Sequence, residues 1–426
     1  MNGKKAAVPA MVVSFALCFP GLARSGVSTG TVTVTLARTQ KFPEPVTYCR
    51  LNMDSRGNIY PNVLATKDSI EILDPAGNVK VSFPNHNDPE REIATTIFSA
   101  DDGNHVAVLV QDESRRTHGE YDIFDENGNR TLQIKPFDDD ASGPHPSPSG
   151  DYAVGWWGAD MPAGPPIFYD ASGYRNKWAT VVHGAWGKTW PTGYGAADVS
   201  FSPSGSQAIV IATKGTSSLT LAYDAQGNPL WSAPNGSRGV FSPDGQEIAQ
   251  GYIDYNQPTF NGVVRILSAA TGKILWQDEL AERGNVYQFK FFSDGKQLIA
   301  ASAHGDVYLF NASNGNTVWH WNTQLYPGVP KGFEMEGLWT FAATANLNTL
   351  AIATNSVKTN SGPNPTAGDD YLIFLSGQGN IISGVTLPPD SFALVGNNCV
   401  LSFSASGKNL LVLTRDGLRT YQINGN

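Results

Sequence analysis

"SFSPSG" (200–205), "VFSPDG" (240–245), "KFFSDG" (290–295) and "LSFSASG" (401–407) are four settings of one phrase. "IFSADDG" (97–103), "PSPSG" (146–150) and "MDSRG" (53–57) are looser versions of it. Each precedes a short apolar run and then a second phrase, as in "ILDPAGN", "IFDENGN", "FYDASG", "AYDAQGN" and "LFNASNGN". A period of this kind means one supersecondary unit used many times. Aligned on the turn glycine, the copies fall at Gly57, Gly103, Gly150, Gly205, Gly245, Gly295 and Gly407. The 112 residues between the last two hold one degenerate copy, "TFAATANLNTLAIAT" (340–354), with Leu347 where glycine is expected. The count is therefore eight.

Each copy reads as four strands. Strand a precedes the turn ("ADVSF"), strand b follows it ("QAIVIAT", "QLIAASA"), strand c alternates ("SLTLAYD", "DVYLFN"), and strand d ends on a large apolar residue ("NPLW", "KILW", "NTVW"). β-Branched and aromatic residues fill these runs, as a pleated, half-buried surface requires. The a–b turn places Pro and Asp for a type I turn and Gly where φ must be positive. In the c–d turn, Asp74, Asp125, Asp170 and Asp224 each stand three residues before a glycine, and the carboxylate is expected to cap the turn. Four-stranded antiparallel units repeated eight times predict an all-β fold, a single eight-bladed β-propeller.

The S-P-D-G turn resembles WD40-type repeats. The phrases "ILSAATGKILW" (266–276), "AYDAQGNPLW" (222–231) and "LFNASNGNTVW" (309–319) resemble the tryptophan-docking repeats of pyrroloquinoline-quinone-type propellers. The resemblance covers nearly the whole mature chain and implies a fold; both superfamilies hold enzymes, scaffolds and ligand binders. Trp231, Trp276 and Trp319 each stand four residues after the turn glycine, and Trp178 five after Gly173. All four are expected to pack between blades. Quinone-dependent members often carry adjacent cysteines beside the cofactor. This chain has none, so no cofactor residue carries over and no cofactor is expected.

The chain ends close the scheme. "MNGKKAAVPAMVVSFALCFPGLARS" has Lys4 and Lys5, an apolar stretch of about 14 residues and then small residues, the layout of a secretory signal. Gly21 and Ala23 suit the positions before a cut, so residues 1–23 are read as a signal peptide and 24–426 as the propeller, secreted or periplasmic, with no membrane span after cleavage. The formal charge of −9 becomes −11 when Lys4 and Lys5 leave, which argues against nucleic acid or an anionic membrane as partner. The last repeat stops after strand c, while "TGTVTVTLARTQ" (29–40) alternates strongly with no blade of its own. It is expected to supply the missing outer strand of blade 8, removing sheet edges that invite aggregation. Cys49 and Cys399 each lie eight residues before a turn glycine, in blades 1 and 8, and are expected to form a disulfide across that seam.

The a–b and c–d turns are short and uniform, whereas the b–c and d–a connections are long and irregular. Examples are "WWGADMPAGPP" (156–166), "VVHGAWGKTWPTGYGAAD" (181–198), "YIDYNQPTFNG" (252–262) and "HWNTQLYPGVPKGFEMEGLW" (320–339). Variable loops on a rigid scaffold are where binding residues usually sit. Trp156, Trp157, His183, Trp186, Trp190, Tyr194, Tyr252, Tyr255, Tyr326 and Phe333 are the candidate binding residues of that long-loop face. Clustered aromatics of this kind suit a protein or a glycan. The histidines form no metal-type pair, "DENGN" (125–129) lacks the later carboxylates of a calcium loop, and no metal is expected. The reading is a monomeric, exported, non-catalytic propeller that binds a protein or glycan of the cell envelope or exterior. The alternative is an enzyme, a quinoprotein dehydrogenase or a glycan-active hydrolase or lyase, with its site at the channel mouth.

Overall fold

The computed structural model describes residues 33–424 apart from 43–45, 47, 54–55, 67, 85–96, 100–104, 112–118, 135–140, 158–165, 175–190, 192–193, 238, 255–260, 284, 360–366, 393–400 and 416. Its strands form eight four-stranded antiparallel sheets, the architecture of an eight-bladed β-propeller. The chain enters on β1 (Thr33–Lys41). Blade 1 is β2 (Tyr48–Met53), β3 (Ile59–Ala65), β4 (Ser69–Leu73) and β5 (Val79–Pro84). Blade 2 is β6 (Ile97–Ser99), β7 (His105–Gln111), β8 (Gly119–Asp125) and β9 (Arg130–Ile134). Blade 3 is β10 (Ala141–Pro146), β11 (Ala153–Trp157), β12 (Pro166–Asp170) and the two-residue β13 (Gly173–Tyr174). Blade 4 is β14 (Gly195–Phe201), β15 (Gln207–Lys214), β16 (Ser217–Asp224) and β17 (Pro229–Pro234). Blade 5 is β18 (Gly239–Phe241), β19 (Glu247–Ile253), β20 (Asn261–Ser268) and β21 (Ile274–Arg283). Blade 6 is β22 (Val286–Phe291), β23 (Gln297–Ser302), β24 (Asp306–Asn311) and β25 (Thr317–Asn322). Blade 7 is β26 (Phe333–Ala343), β27 (Thr349–Lys358), β28 (Ala367–Ser376) and β29 (Ile381–Leu387). Blade 8 is β30 (Leu401–Phe403), β31 (Asn409–Thr414) and β32 (Gly417–Asn424), completed by β1 in the order β1-β32-β31-β30.

Two compact units divide the chain, one running from Tyr60 to Asn322, the other joining the segment up to Ile59 with that from Thr323 onward. In the first, the apolar runs of the middle strands make the core between consecutive sheets. Tyr152, Val154 and Phe168 of blade 3 pack with Val199, Phe201 and Val210 of blade 4. Ile266 of blade 5 packs with Leu298 and Phe310 of blade 6 in the same manner. In the second unit, Leu372 and Phe374 of blade 7 meet Phe403, Leu410, Tyr421 and Ile423 of blade 8. Removing such surface from water stabilises by roughly 25 cal/mol per Å².

The turns follow the repeated phrases. In the a–b turn the N–H of Gly205 donates to Ser202 O at 2.8 Å, and Gly245, Gly295 and Gly407 repeat the bond on Ser242, Phe292 and Ser404. Leu347 takes the glycine's place in blade 7 with the same bond, to Thr344 O at 3.0 Å, and with φ at 56°. A left-handed leucine costs about 1–2 kcal/mol, and burial of its side chain offsets that. In the c–d turn Asp125 Oδ1 accepts the N–H groups of Asn127 and Asn129 at 2.9 and 2.8 Å, while Asn129 Nδ2 donates to Oδ2 at 3.0 Å. Asp74–Asn78 and Asp224–Asn228 repeat the arrangement. The asparagine after the glycine is thus a working part of the turn. Its side chain and backbone bonds hold Asp74 well below the usual carboxylate range.

β1 pairs with β32 from Thr33↔Asn424 to Lys41↔Gly417, with a bulge between Leu36 and Arg38. The expected closing strand is therefore present over its described part, and residues 29–32 lie outside the described residues. At the seam, Ala405 N donates to Gly57 O at 3.0 Å, and a Cβ on Gly57, at φ 79°, would overlap Ala405. The same position of the preceding turn meets the glycine elsewhere, Pro203 facing Gly245 and Pro148 facing Gly205. The a–b turn at Gly57 therefore meets the turn at Ala405 as Gly205 and Gly245 meet the turns before them.

Candidate functional site

The strand-d tryptophans lock one blade to the next. Trp231, on β17, donates its indole N–H to Ala269 O at 2.8 Å, in the c–d turn of blade 5. Its ring lies on Gly272, where a Cβ would collide with it. Trp276, on β21, repeats the lock on Ala312 O and Gly315 of blade 6 and stands 5.7 Å from the Phe310 ring. At blade 1 the contact on Gly128 is made by Lys80 and Val81, so the docking position is kept with an aliphatic chain. Trp319 is half-buried on β25, and Trp178 lies outside the described residues.

Several candidate binding residues pack inward. Tyr252 is buried, with the Arg265 guanidinium 5.2 Å from its ring centroid and its hydroxyl 3.3 Å from Gln277 Oε1. Tyr326 lies against Gly384 and stands 5.7 Å from the Tyr371 ring, and burial raises its phenol pKa. Phe333 is half-buried beside Gly368. Trp156 and Tyr194 both lie half-buried on the core between blades 3 and 4. Trp156 stands 5.6 Å from the His145 ring, and Lys214 Nζ is 5.9 Å from the Tyr194 ring centroid. The strand β11 includes Trp157, while His183, Trp186, Trp190 and Tyr255 lie outside the described residues. Cys49 is a buried free thiol among the described residues, its pKa raised by burial, and Cys399 lies outside them.

Two polar networks on the connections escaped sequence reasoning. Arg265 is 1% exposed and donates to Pro234 O at 2.8 Å, Asn235 O at 2.6 Å and Gln250 Oε1 at 2.6 Å. Thr220 and Gln250 complete the stack beneath the Pro234–Gly236 connection. Burial pulls the Arg265 pKa down to about 10, so the guanidinium stays charged at neutral pH. In blade 6, Asp306 accepts Ser302 Oγ at 3.1 Å, His320 Nε2 at 2.8 Å and Asn322 Nδ2 at 2.6 Å. His320 also stacks on Tyr308 at 4.2 Å. Burial opposes the ionised form of Asp306, yet the His320 and Asn322 bonds hold its carboxyl below the usual range. Serine and histidine both bond the carboxylate rather than each other. Ser302 is therefore not activated by His320, and the cluster acts as a clamp on the turn.

A second buried carboxylate carries a pH dependence. Asp370 Oδ2 accepts Phe392 N at 2.9 Å, and burial, aided by nearby Asp390, pushes its pKa up to about 6. The folded chain thus holds this proton more tightly than the unfolded chain. That contribution to stability is full at low pH and declines as pH rises from about 4 through 6. Asp370→Asn is expected to gain stability on the wild type across that interval. Thermal melts between pH 4 and 8 measure it, and parallel curves for the two proteins would contradict it.

Among the described residues, no group of three or more His, Cys, Asp or Glu side chains could hold a metal ion, and no helix is long and apolar enough to cross a membrane. Residues 260–325, which span β20 to β25 and carry the Trp276 lock, match the family model PQQ_2, outer membrane protein assembly factor BamB. That segment carries a PQQ-like propeller repeat. Among solved structures, the Cps50 (Swd1) β-propeller domain of Myceliophteria thermophila is 12% identical, with a TM-score of 0.50 over 92% of this chain and 100% of that one. BamB from Moraxella catarrhalis is also 12% identical, with a TM-score of 0.49 over 92% of this chain and 100% of that one. The first likeness shows the propeller fold. No curated protein matches the chain.

Proposed function

We propose that this chain is an exported, non-catalytic scaffold that binds a protein of the cell envelope through its long-loop face. The reading is carried by the match of residues 260–325 to the model of an outer membrane protein assembly factor. Tryptophan locks and turn-to-turn contacts make one set of turns rigid and uniform, which leaves the irregular connections to vary. The N-terminal 23 residues would direct export, and sequencing the protein recovered from cells is expected to begin at Arg24.

A photo-reactive residue in place of Lys214, at the end of β15 beside Tyr194, tests the face. It is expected to give a discrete protein adduct in cells, lost on Trp186→Ala with Trp190→Ala. The same group in place of Lys273, in the c–d turn of blade 5, is expected to give none. Equal adducts from the two positions would defeat the assignment.

A further inference from the structure

Four Asn–Gly pairs lie within the described residues, Asn127–Gly128, Asn235–Gly236, Asn261–Gly262 and Asn314–Gly315. Such a pair is chemically fragile, because the glycine nitrogen, with no Cβ beside it, can close on the asparagine side chain. In three of the four a hydrogen bond restrains one reacting group. Gly128 N and Gly315 N donate to Asp125 O and Asn311 O at 3.0 and 2.9 Å. Asn261 Nδ2 donates to Glu279 Oε1 at 3.1 Å. A bond made by the protonated amide opposes loss of its proton, the step that makes the nitrogen a nucleophile. At Asn235–Gly236 neither the side-chain amide nor the glycine N–H makes such a bond among the described residues. Asn235 is also exposed.

The stack around Arg265 dictates this pair. Asn235 has φ 61°, a left-handed setting that asparagine tolerates better than most residues. Gly236 has φ 138°, and a Cβ there would overlap Thr220 and Gln250. The peptide between them is polarised by the stack. Its oxygen, Asn235 O, accepts Arg265 Nη2 at 2.6 Å and lies 3.1 Å from Thr220 Oγ1. When Gly236 N loses its proton, negative charge spreads onto that oxygen and against the guanidinium, which stabilises the anion. Arg265 itself is buried, and its acceptors, Pro234 O, Asn235 O and Gln250 Oε1, are all neutral.

We propose that Asn235–Gly236 is a site of spontaneous deamidation, promoted by Arg265, that supplies this buried cation with a counter-charge. Gly236 N gives its proton to water and attacks Asn235 Cγ. The Cγ–Nδ2 bond breaks, and the nitrogen takes a proton back and leaves as ammonia. One water then opens the five-membered imide. Opening at the Asn235 backbone carbonyl frees an α-carboxylate built on the oxygen that Arg265 already holds, and the chain continues through Cγ as isoaspartate. Opening at Cγ gives aspartate, with its charge on the exposed side chain. A buried cation is stabilised by an anion in contact, so the folded protein favours the first product. The net change replaces an amide nitrogen by an oxygen and consumes one water, with no oxidant and no break in the chain. It is independent of the partner proposed above.

The test incubates the full-length protein at mildly alkaline pH in heavy-oxygen water, folded and in urea, and follows the digested peptides by mass spectrometry. Each folded rate is divided by the rate of the same pair in urea, which removes the influence of local sequence. The quotient at Asn235 is expected to exceed those at Asn127, Asn261 and Asn314 by about tenfold or more, the rate effect of one charge-assisted hydrogen bond. The share of isoaspartate at position 235 is expected to be higher in the folded protein than in urea. Arg265→Gln, checked by thermal melting, is expected to lower the Asn235 quotient to the level of the others. The comparison within the wild type decides the matter even where that variant does not fold. Equal quotients at the four pairs, an isoaspartate share no higher than in urea, or an unchanged rate in a folded Arg265→Gln protein would overturn the inference.

Discussion

Replacing Trp276 with alanine is expected to lower the unfolding free energy by about 3 kcal/mol, at the low end for loss of a large aromatic side chain. The indole is half-buried rather than sealed, which argues for the low end. Three losses combine. The ring leaves Phe310 and the core between blades 5 and 6. Gly315, which has no Cβ because the ring lies over it, faces a void. The Ala312 carbonyl loses its donor, worth about 1 kcal/mol. Trp276→Phe separates these effects by restoring most of the ring without the N–H, and is expected to cost about 1 kcal/mol. Leu275→Ala, one residue earlier and 53% exposed, is expected to stay within about 0.5 kcal/mol of the wild type. Urea unfolding followed by circular dichroism measures all three. A Trp276→Ala midpoint equal to that of Leu275→Ala would show that the tryptophan does not carry the inter-blade contact.

That contrast between neighbours in sequence shows what a linear reading can reach. Period and turn chemistry are local, so the spacing of Gly205, Gly245 and Gly295 was enough to place every blade, and Leu347 was recognisable because its neighbours kept the pattern. The same holds for the tryptophans, which stand at one register of strand d. What each indole meets is not local. Ala269 and Ala312 lie 38 and 36 residues further along, and an alanine carbonyl carries no sequence signal. Arg265 looks like an ordinary strand residue until blade 4 places Asn235 beneath it. In sequence, Tyr252 and Tyr326 read as part of the clustered aromatics of the long-loop face because long connections surround them. The structure turns both inward, one under a guanidinium and one against a glycine, since a loop that leaves a sheet must still cover the strand ends it leaves.

Deleting residues 24–41 tests the closure of the fold, and its expected effect is larger than that of any single substitution. β1 holds β32 through eight paired positions, and Val34 packs on the core between blades 7 and 8. With net hydrogen bonds near 1 kcal/mol each, the strand contributes about 5 kcal/mol or more before the apolar term is added. Its removal bares the β32 edge, beside which Tyr421 and Ile423 are buried, and an unpaired edge with apolar residues recruits other chains. The truncated protein is therefore expected to melt well below the full-length chain and to associate. A synthetic peptide of residues 29–41 added in trans is expected to reverse both effects, because the lost element is one strand whose register is set by the alternation of Thr33, Val34, Thr35 and Leu36 against β32. The rescue decides between two readings of a loss of stability. If the peptide restores a monomer, β1 acts as the outer strand of blade 8. If the truncated protein stays monomeric and melts with the full-length chain, blade 8 is stable with three strands and β1 does not close the propeller.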